Sequence, residues 1–169
     1  MTSIPIRRGA MVLLLLLLMG ARLPAAEPSS CPAEARSEKS RGQTLYVPAY
    51  SDIPYRDEMR RYQLAITLSI RNTDAAQSID IMSVRYFDTE GHFLRAYVEH
   101  PLRLGPLAST AFVVQERDTR GGTGASFLLA WRAEVPVHAP VVEAVMIGTS
   151  GTQGISFISP GRVLTTQCP

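Results

Sequence analysis

Apolar and polar residues alternate from Tyr62 to Asn72. Tyr62, Leu64, Ile66, Leu68 and Ile70 share one phase, and Gln63, Ala65, Thr67, Ser69 and Arg71 share the other. A period of two marks a β-strand with one dry and one wet face. Such strands belong to antiparallel sheets, and a dry face this apolar requires a second sheet to cover it. The phase predicts that Ile66 and Leu68 are almost fully buried and that Trp131 joins the same cluster.

The rest of the chain reads as strands that supply the cover. Residues 44–47 make a short strand stopped by Pro48, and residues 51–61 read as a charged loop or a short helical turn. Asn72, Thr73 and Asp74 end the founding strand with turn-forming side chains. Ile79 and Ile81 share one phase while Val84 and Tyr86 share the other, which predicts a β-bulge near Met82 and Ser83. Asp88-Thr89-Glu90-Gly91 is a hairpin turn and residues 93–97 return from it. Pro101 and Pro106 break the chain, with Leu102 and Leu104 expected to face the core. Residues 111–115 form a further strand, followed by a flexible loop over 117–124. Phe127-Leu128-Leu129-Ala130-Trp131 is apolar on both phases, as in a central strand covered on both sides or one masked by a loop. Pro136 and Pro140 bracket a short connection to residues 141–147, which predicts an antiparallel return with Arg132 opposite Glu143. Residues 148–154 turn and residues 155–158 close the set. About seven or eight short strands with regular turns describe an all-β, antiparallel, immunoglobulin-like β-sandwich.

The start of the chain follows different rules. Arg7 and Arg8 precede an apolar run from Met11 to Met19, and Ala25 and Ala26 precede Glu27. A basic start, a short apolar run and small residues are the layout of a secretory signal peptide, here residues 1–26. The run is shorter than the roughly 20 residues of a membrane span. Contact with the membrane is therefore expected only through this segment, before cleavage. Residues 27–42, rich in Pro, Ser and charge, read as a flexible tether to a sandwich domain over 43–169. The address is periplasmic or secreted, in the cell envelope.

Charge changes meaning once the leader is removed. The chain has 17 basic and 15 acidic residues; without Arg7, Arg8 and Arg22 the balance is 14 to 15, a formal charge of −1. A near-neutral domain offers no footprint for nucleic acid. The only cysteines, Cys31 and Cys168, would meet an oxidising compartment and are expected to form a disulfide. Pro28-Ser29-Ser30 before Cys31 does not resemble a lipid-attachment site.

Catalytic chemistry leaves little trace. His92, His100 and His138 show no metal-ligand spacing. No Gly-x-Ser-x-Gly elbow surrounds Ser126 or Ser150. Gly121-Gly122-Thr123-Gly124 lacks the lysine and the following helix of a phosphate loop, and reads as a turn whose glycines take positive φ. No cofactor is implied. Trp131 reads as core, and Tyr50 and Tyr55 on either side of Pro54 as contact residues. Tyr50, Tyr55 and Arg56, with Arg120 from the 117–124 loop, are the candidate binding residues, at a sandwich end where 51–61 and 116–124 would meet.

Several blocks carry a family resemblance: Leu45-Tyr46-Val47-Pro48-Ala49-Tyr50-Ser51, Leu68-Ser69-Ile70-Arg71-Asn72-Thr73-Asp74, Gly121-Gly122-Thr123-Gly124-Ala125-Ser126-Phe127, Glu143-Ala144-Val145-Met146-Ile147-Gly148 and Gly154-Ile155-Ser156-Phe157. They resemble the bacterial domain of unknown function 3124 family over residues 42–162. The resemblance implies no activity and no site residues. The functional expectation is an exported, non-catalytic binding or accessory module of the envelope, with an unidentified envelope protein or ligand as partner. An envelope hydrolase or metal-binding protein with a loop-built site is the alternative. A subunit that completes its sheet with another chain's strand is a third reading, which an unpaired, uncharged edge strand would favour.

Overall fold

The protein, as a computed structural model, is described over residues 39–55, 60–149 and 154–167. Arg56, Cys31 and Cys168, with the disulfide expected between the last two, lie outside the described residues. Twelve strands follow in order: β1 (Lys39–Pro48), β2 (Asp52–Tyr55), β3 (Arg60–Gln63), β4 (Ala65–Arg71), β5 (Ile79–Phe87), β6 (Phe93–Val98), β7 (Leu102–Leu104), β8 (Ser109–Val114), β9 (Ser126–His138), β10 (Val141–Gly148), β11 (Ile155–Pro160) and β12 (Arg162–Gln167). The expected strands are all present, and β2, β3, β7 and β12 add to them.

All pairings are antiparallel and, apart from a small β2–β3 ribbon, build two facing sheets. The larger runs β12-β1-β9-β5-β6, with β7 beside the start of β5; the smaller runs β11-β10-β4-β8. This is the predicted all-β sandwich. The alternation of the founding strand sets its centre: Leu64, Ile66, Leu68 and Ile70 are each 0% exposed. Trp131, Phe127, Tyr86, Ile79 and Ile81 share their core cluster from the facing sheet. The bulge in β5 falls between Ile81 and Ser83 in its pairing with β9, so both phases of that strand reach the core.

β9 is the central strand its composition predicts. Phe127, Leu129 and Trp131 point inward, while Leu128 lies half-buried between its cross-strand neighbours Tyr46 and Arg85. Tyr46 itself is 39% exposed and belongs to this outer face.

Several expectations need correction. β1 begins at Lys39, so residues 39–42 belong to the sheet and not to a tether. The founding strand is interrupted at Leu64, whose N–H goes to the Ser51 carbonyl (2.9 Å). Its first part pairs with β2 as a small ribbon, where a loop or helical turn was expected. Leu104 is buried but Leu102 is 37% exposed, because a three-residue edge strand offers the core only one full position. Pro136 sits within β9, where the register against β1 shifts between Ser40 and Gly42; the missing N–H is tolerated at that irregularity.

Arg132 and Glu143 are not neighbours. Arg132 pairs with Gly42 and Asp80, and Glu143 pairs with Ser69 and Pro160. The short connection between β9 and β10 crosses from one sheet to the other instead of turning a hairpin. Two side chains hold that crossing: Thr73 Oγ1 donates to the Ala139 carbonyl (2.9 Å), and Asp74 accepts from the His138 N–H (3.3 Å). Glu143 instead lies on the outer face, 3.8 Å from the mostly exposed Arg71.

Candidate ligand-binding cleft

One end of the sandwich gathers the segments that the sequence marks as loops. Ser51 N–H bonds the Gly122 carbonyl (3.1 Å), and Ala49 N–H bonds the Ala125 carbonyl (2.8 Å). Arg61 reaches Asp52 (2.6 Å) and Thr123 Oγ1 (2.8 Å), and Thr123 Oγ1 donates to Asp52 (2.9 Å). Thr89, from the β5–β6 turn, donates to the Gly121 carbonyl and accepts from the Gly124 N–H, both at 3.0 Å. The 117–124 segment is therefore braced from two sides, not a free loop, and holds a 3-10 turn over Thr119–Gly121. Among its glycines only Gly122 takes a positive φ, of 70°. Gly121 is needed for space, because any Cβ there would strike the Tyr86 hydroxyl.

Beside this braced loop, a cleft of about 590 Å³ opens between the edges of the two sheets. β6 supplies Arg95, β8 supplies Val113 and Val114, and the loop supplies Gln115, Arg117, Asp118, Thr119 and Arg120. The alternation of β6 turns Arg95 and Tyr97 to the same side. The Arg95 guanidinium lies 4.8 Å from the Tyr97 ring centroid, a cation–π contact that fixes its direction. Tyr97 in turn packs on Phe112 (5.5 Å) and Phe127 (6.0 Å), which closes the core behind the cleft. A shallower hollow of about 370 Å³ shares Gln115 and Arg117 and adds Gln63 and Glu116.

The charges in the cleft do not cancel. Arg120 grips Asp118 in a two-point contact through one guanidinium edge, Nε at 2.8 Å and one terminal nitrogen at 2.7 Å. That hydrogen bond holds the Asp118 carboxyl below its ordinary range and stabilises the charged guanidinium. Arg117 donates to the neutral Gln115 side chain (2.7 Å), and neither Arg117 nor Arg95 forms an ion pair among the described residues. Two guanidinium groups of the cleft are thus without an ion pair among the described residues, Arg95 acting on Asp118 only at longer range. Burial raises the Tyr97 phenol, with Arg95 opposing, and pushes Tyr86 beneath the loop up to about 12. Ser51 opposes that rise, although its hydroxyl donates to the Gly122 carbonyl and Tyr86 makes no hydrogen bond among the described residues.

The predicted site residues separate. Arg120 lies in the cleft. Tyr50 is half-buried and meets Phe157 edge-on at 5.6 Å; Tyr55 is 36% exposed and meets Tyr62 at 5.9 Å. Loops 51–61 and 116–124 do meet, through Asp52, Arg61 and Thr123. Arg95 and Arg117 were not singled out from the sequence. The Arg-Asp-Thr-Arg run at 117–120 carried a signal for Arg117, and Arg95 carried none beyond standing between Phe93 and Tyr97.

Asp88, Glu90 and His92 form a separate group whose ligand atoms lie within 4.8 Å of one another. Their geometry belongs to the turn: Asp88 accepts from the N–H of Glu90 (3.0 Å) and of His92 (2.7 Å), and Gly91 supplies a φ of 83°. Among the described residues no helix is long and apolar enough to cross a membrane.

No curated protein matches the chain. A solved structure titled "Crystal Structure of Thermotoga maritima 1070" is similar at 11% identity with a TM-score of 0.45, over 74% of this chain and 97% of that one. The family model described as "Protein of unknown function (DUF3124)" matches residues 42–164, which hold the smaller sheet, most of the larger one, the braced loop and the cleft, and the chain belongs to that family.

Proposed function

We propose that the protein is an exported, non-catalytic binding module of the cell envelope, and that it holds an oxyanion-bearing ligand in the cleft between β6 and β8. The observation that carries this reading is the charge pattern of the cleft. Arg120 takes Asp118 in a two-point ion pair, whereas Arg95 feels that carboxylate only at a distance and Arg117 forms no ion pair among the described residues, so the cleft holds three guanidinium groups to one carboxylate. Guanidinium groups bind carboxylate, phosphate and sulfate oxygens through paired N–H donors, so two of them form a receptor for such a group. Val113 and Val114 add apolar contact beside them. Rigid walls also favour binding, since the loop is tied to the β2–β3 ribbon and to the β5–β6 turn.

Export rests on the leader-like first 26 residues, and the expected Cys31–Cys168 disulfide suits the same compartment. Titration of the exported protein with a set of oxyanions (inorganic phosphate, citrate, sulfated and uronic-acid oligosaccharides) tests the reading by backbone amide shifts. The expected shifts cluster on Arg95 and on residues 113–120. Shifts that avoid these residues, or none across the whole set, contradict the proposal.

A further inference from the structure

We propose that β11 is an open sheet edge at which a second copy of this chain adds its own β11, antiparallel, to form a dimer with one continuous eight-stranded sheet. The inference starts from the edges of the two sheets. An exposed edge is a template for another strand, and proteins block it with charge, proline, bulges or a covering side chain. On the larger sheet, β6 carries Arg95 and two register shifts against β5, and β7 carries Arg103 over only three residues. At its other end, β12 starts with Arg162 and shifts register between Thr44 and Leu45 of β1. On the smaller sheet, β8 is uncharged but covered: Tyr97 from the facing sheet donates to the Val113 carbonyl (3.4 Å) and stacks on Phe112.

Among the described residues, β11 has none of these protections along its length. Its six residues, Ile-Ser-Phe-Ile-Ser-Pro, contain no charge, and they pair with β10 in unbroken register from Ile155 to Pro160. The only proline is the last residue. Ile155 is 39% and Ile158 58% exposed.

The flank around β11 suits a second copy. Gly161 carries the chain from the edge of one sheet to the edge of the other, with its N–H on the Val142 carbonyl (2.8 Å). β12 therefore lies on the same flank and adds Val163 (45% exposed) and Leu164 (55%) to the two isoleucines. Arg162 is the one charge of this pair of strands. A two-fold axis normal to the sheet keeps inner faces inner, so residues of like phase oppose one another. With the axis at Phe157, Ile155 faces Ser159 of the other copy, Ser156 faces Ile158, and Phe157 faces itself. The overlap holds neither charge nor proline, and each Arg162 falls outside it at opposite ends. Half-buried Phe157, which packs against the core and meets Tyr50 edge-on, gains its own copy as further cover. Because β8 is at the far end of the same sheet, both clefts stay open. They would stand roughly 30–35 Å apart across eight strands spaced about 4.8 Å, a geometry for bivalent capture of a polyanion.

Sedimentation of the exported protein across a concentration series, with reductant present to exclude intermolecular disulfides, tests the proposal. A reversible dimer is expected, weakened at least about tenfold by Ile158→Lys, a charge set on the edge, and unaffected by Val113→Lys on the β8 edge. Amide hydrogen exchange on the unaltered protein supplies a reading that needs no variant: residues 155–159 should gain protection as concentration rises. A monomer throughout, or a dimer that tolerates Ile158→Lys without added protection in β11, overturns the proposal. So does protection of β11 by an unrelated extended peptide without self-association.

Discussion

Leu107 holds φ at 56°, a left-handed conformation that suits glycine or asparagine, while 68% exposed. It follows Pro106 in a turn closed by Ala108 N–H on the Gly105 carbonyl (3.1 Å), the geometry in which the third residue needs positive φ. Replacing Leu107 by Gly removes a conformational penalty of about 1–2 kcal/mol and adds about 0.5–1 kcal/mol of unfolded-chain entropy. The expected result is a gain of roughly 0.5 kcal/mol in urea unfolding, and a clear loss would contradict it. Asn72, the one asparagine of the chain, works in the opposite sense. Its amide donates to the Gln77 (2.8 Å) and Gly105 (2.8 Å) carbonyls, and its oxygen accepts from the Asp74 N–H (3.0 Å). Asn72→Ala should cost roughly 2–4 kcal/mol, since several buried groups lose their partners together. The sequence showed Asn72 and Asp74 as turn formers; it could not show that they tie loops some thirty residues apart, because those partners are backbone atoms with no side-chain signature.

Acid sensitivity belongs to the same scale. The Asp74 carboxyl is held below 3.8, first by the Ala76 N–H and then by Gln77 and His138, against the opposing effect of burial. Asp118 is lowered by Arg120 in the same direction. A depressed carboxylate contributes stability above its unfolded pKa and loses it as pH falls through the folded value. Stability should therefore be flat on the neutral side and decline below about pH 4, with a shallower decline in Asp74→Asn. An equal decline in that variant would remove Asp74 from the account.

At the scale of elements, the period-two pattern located the strands but not their pairing. β4 and the bulged β5 were legible because each inward residue is large and apolar and each phase change is visible. The β9–β10 connection was misread because short loops join sheets as readily as hairpins, and the Thr73 and Asp74 contacts that decide it are long-range. Ile66→Ala or Leu68→Ala should each cost roughly 2–5 kcal/mol, the range for emptying a fully buried position. Thr67→Ala, on the outer face between them, should stay within about 0.5 kcal/mol. If the three changes cost the same by denaturant unfolding, the assignment of faces is wrong.

At the scale of the whole molecule, composition concealed the cleft. A nearly balanced count of 17 basic and 15 acidic residues gives no hint that arginines from β6 and from the 117–120 segment converge while the nearby carboxylate is already paired. On the proposed export, the protein is also expected to show no alkylatable thiol until reduced, the sign of the proposed Cys31–Cys168 bond, and two free thiols in intact-mass analysis would refute it. The central claim is the oxyanion cleft, and calorimetric titration of an Arg95→Gln, Arg117→Gln double variant tests it most directly. For the tightest oxyanion found, at constant ionic strength and with unfolding unchanged, affinity should fall by at least about tenfold, the loss expected when charge-assisted donors are removed. An affinity within about twofold of the unaltered protein, less than one charge-assisted hydrogen bond is worth, would contradict the account.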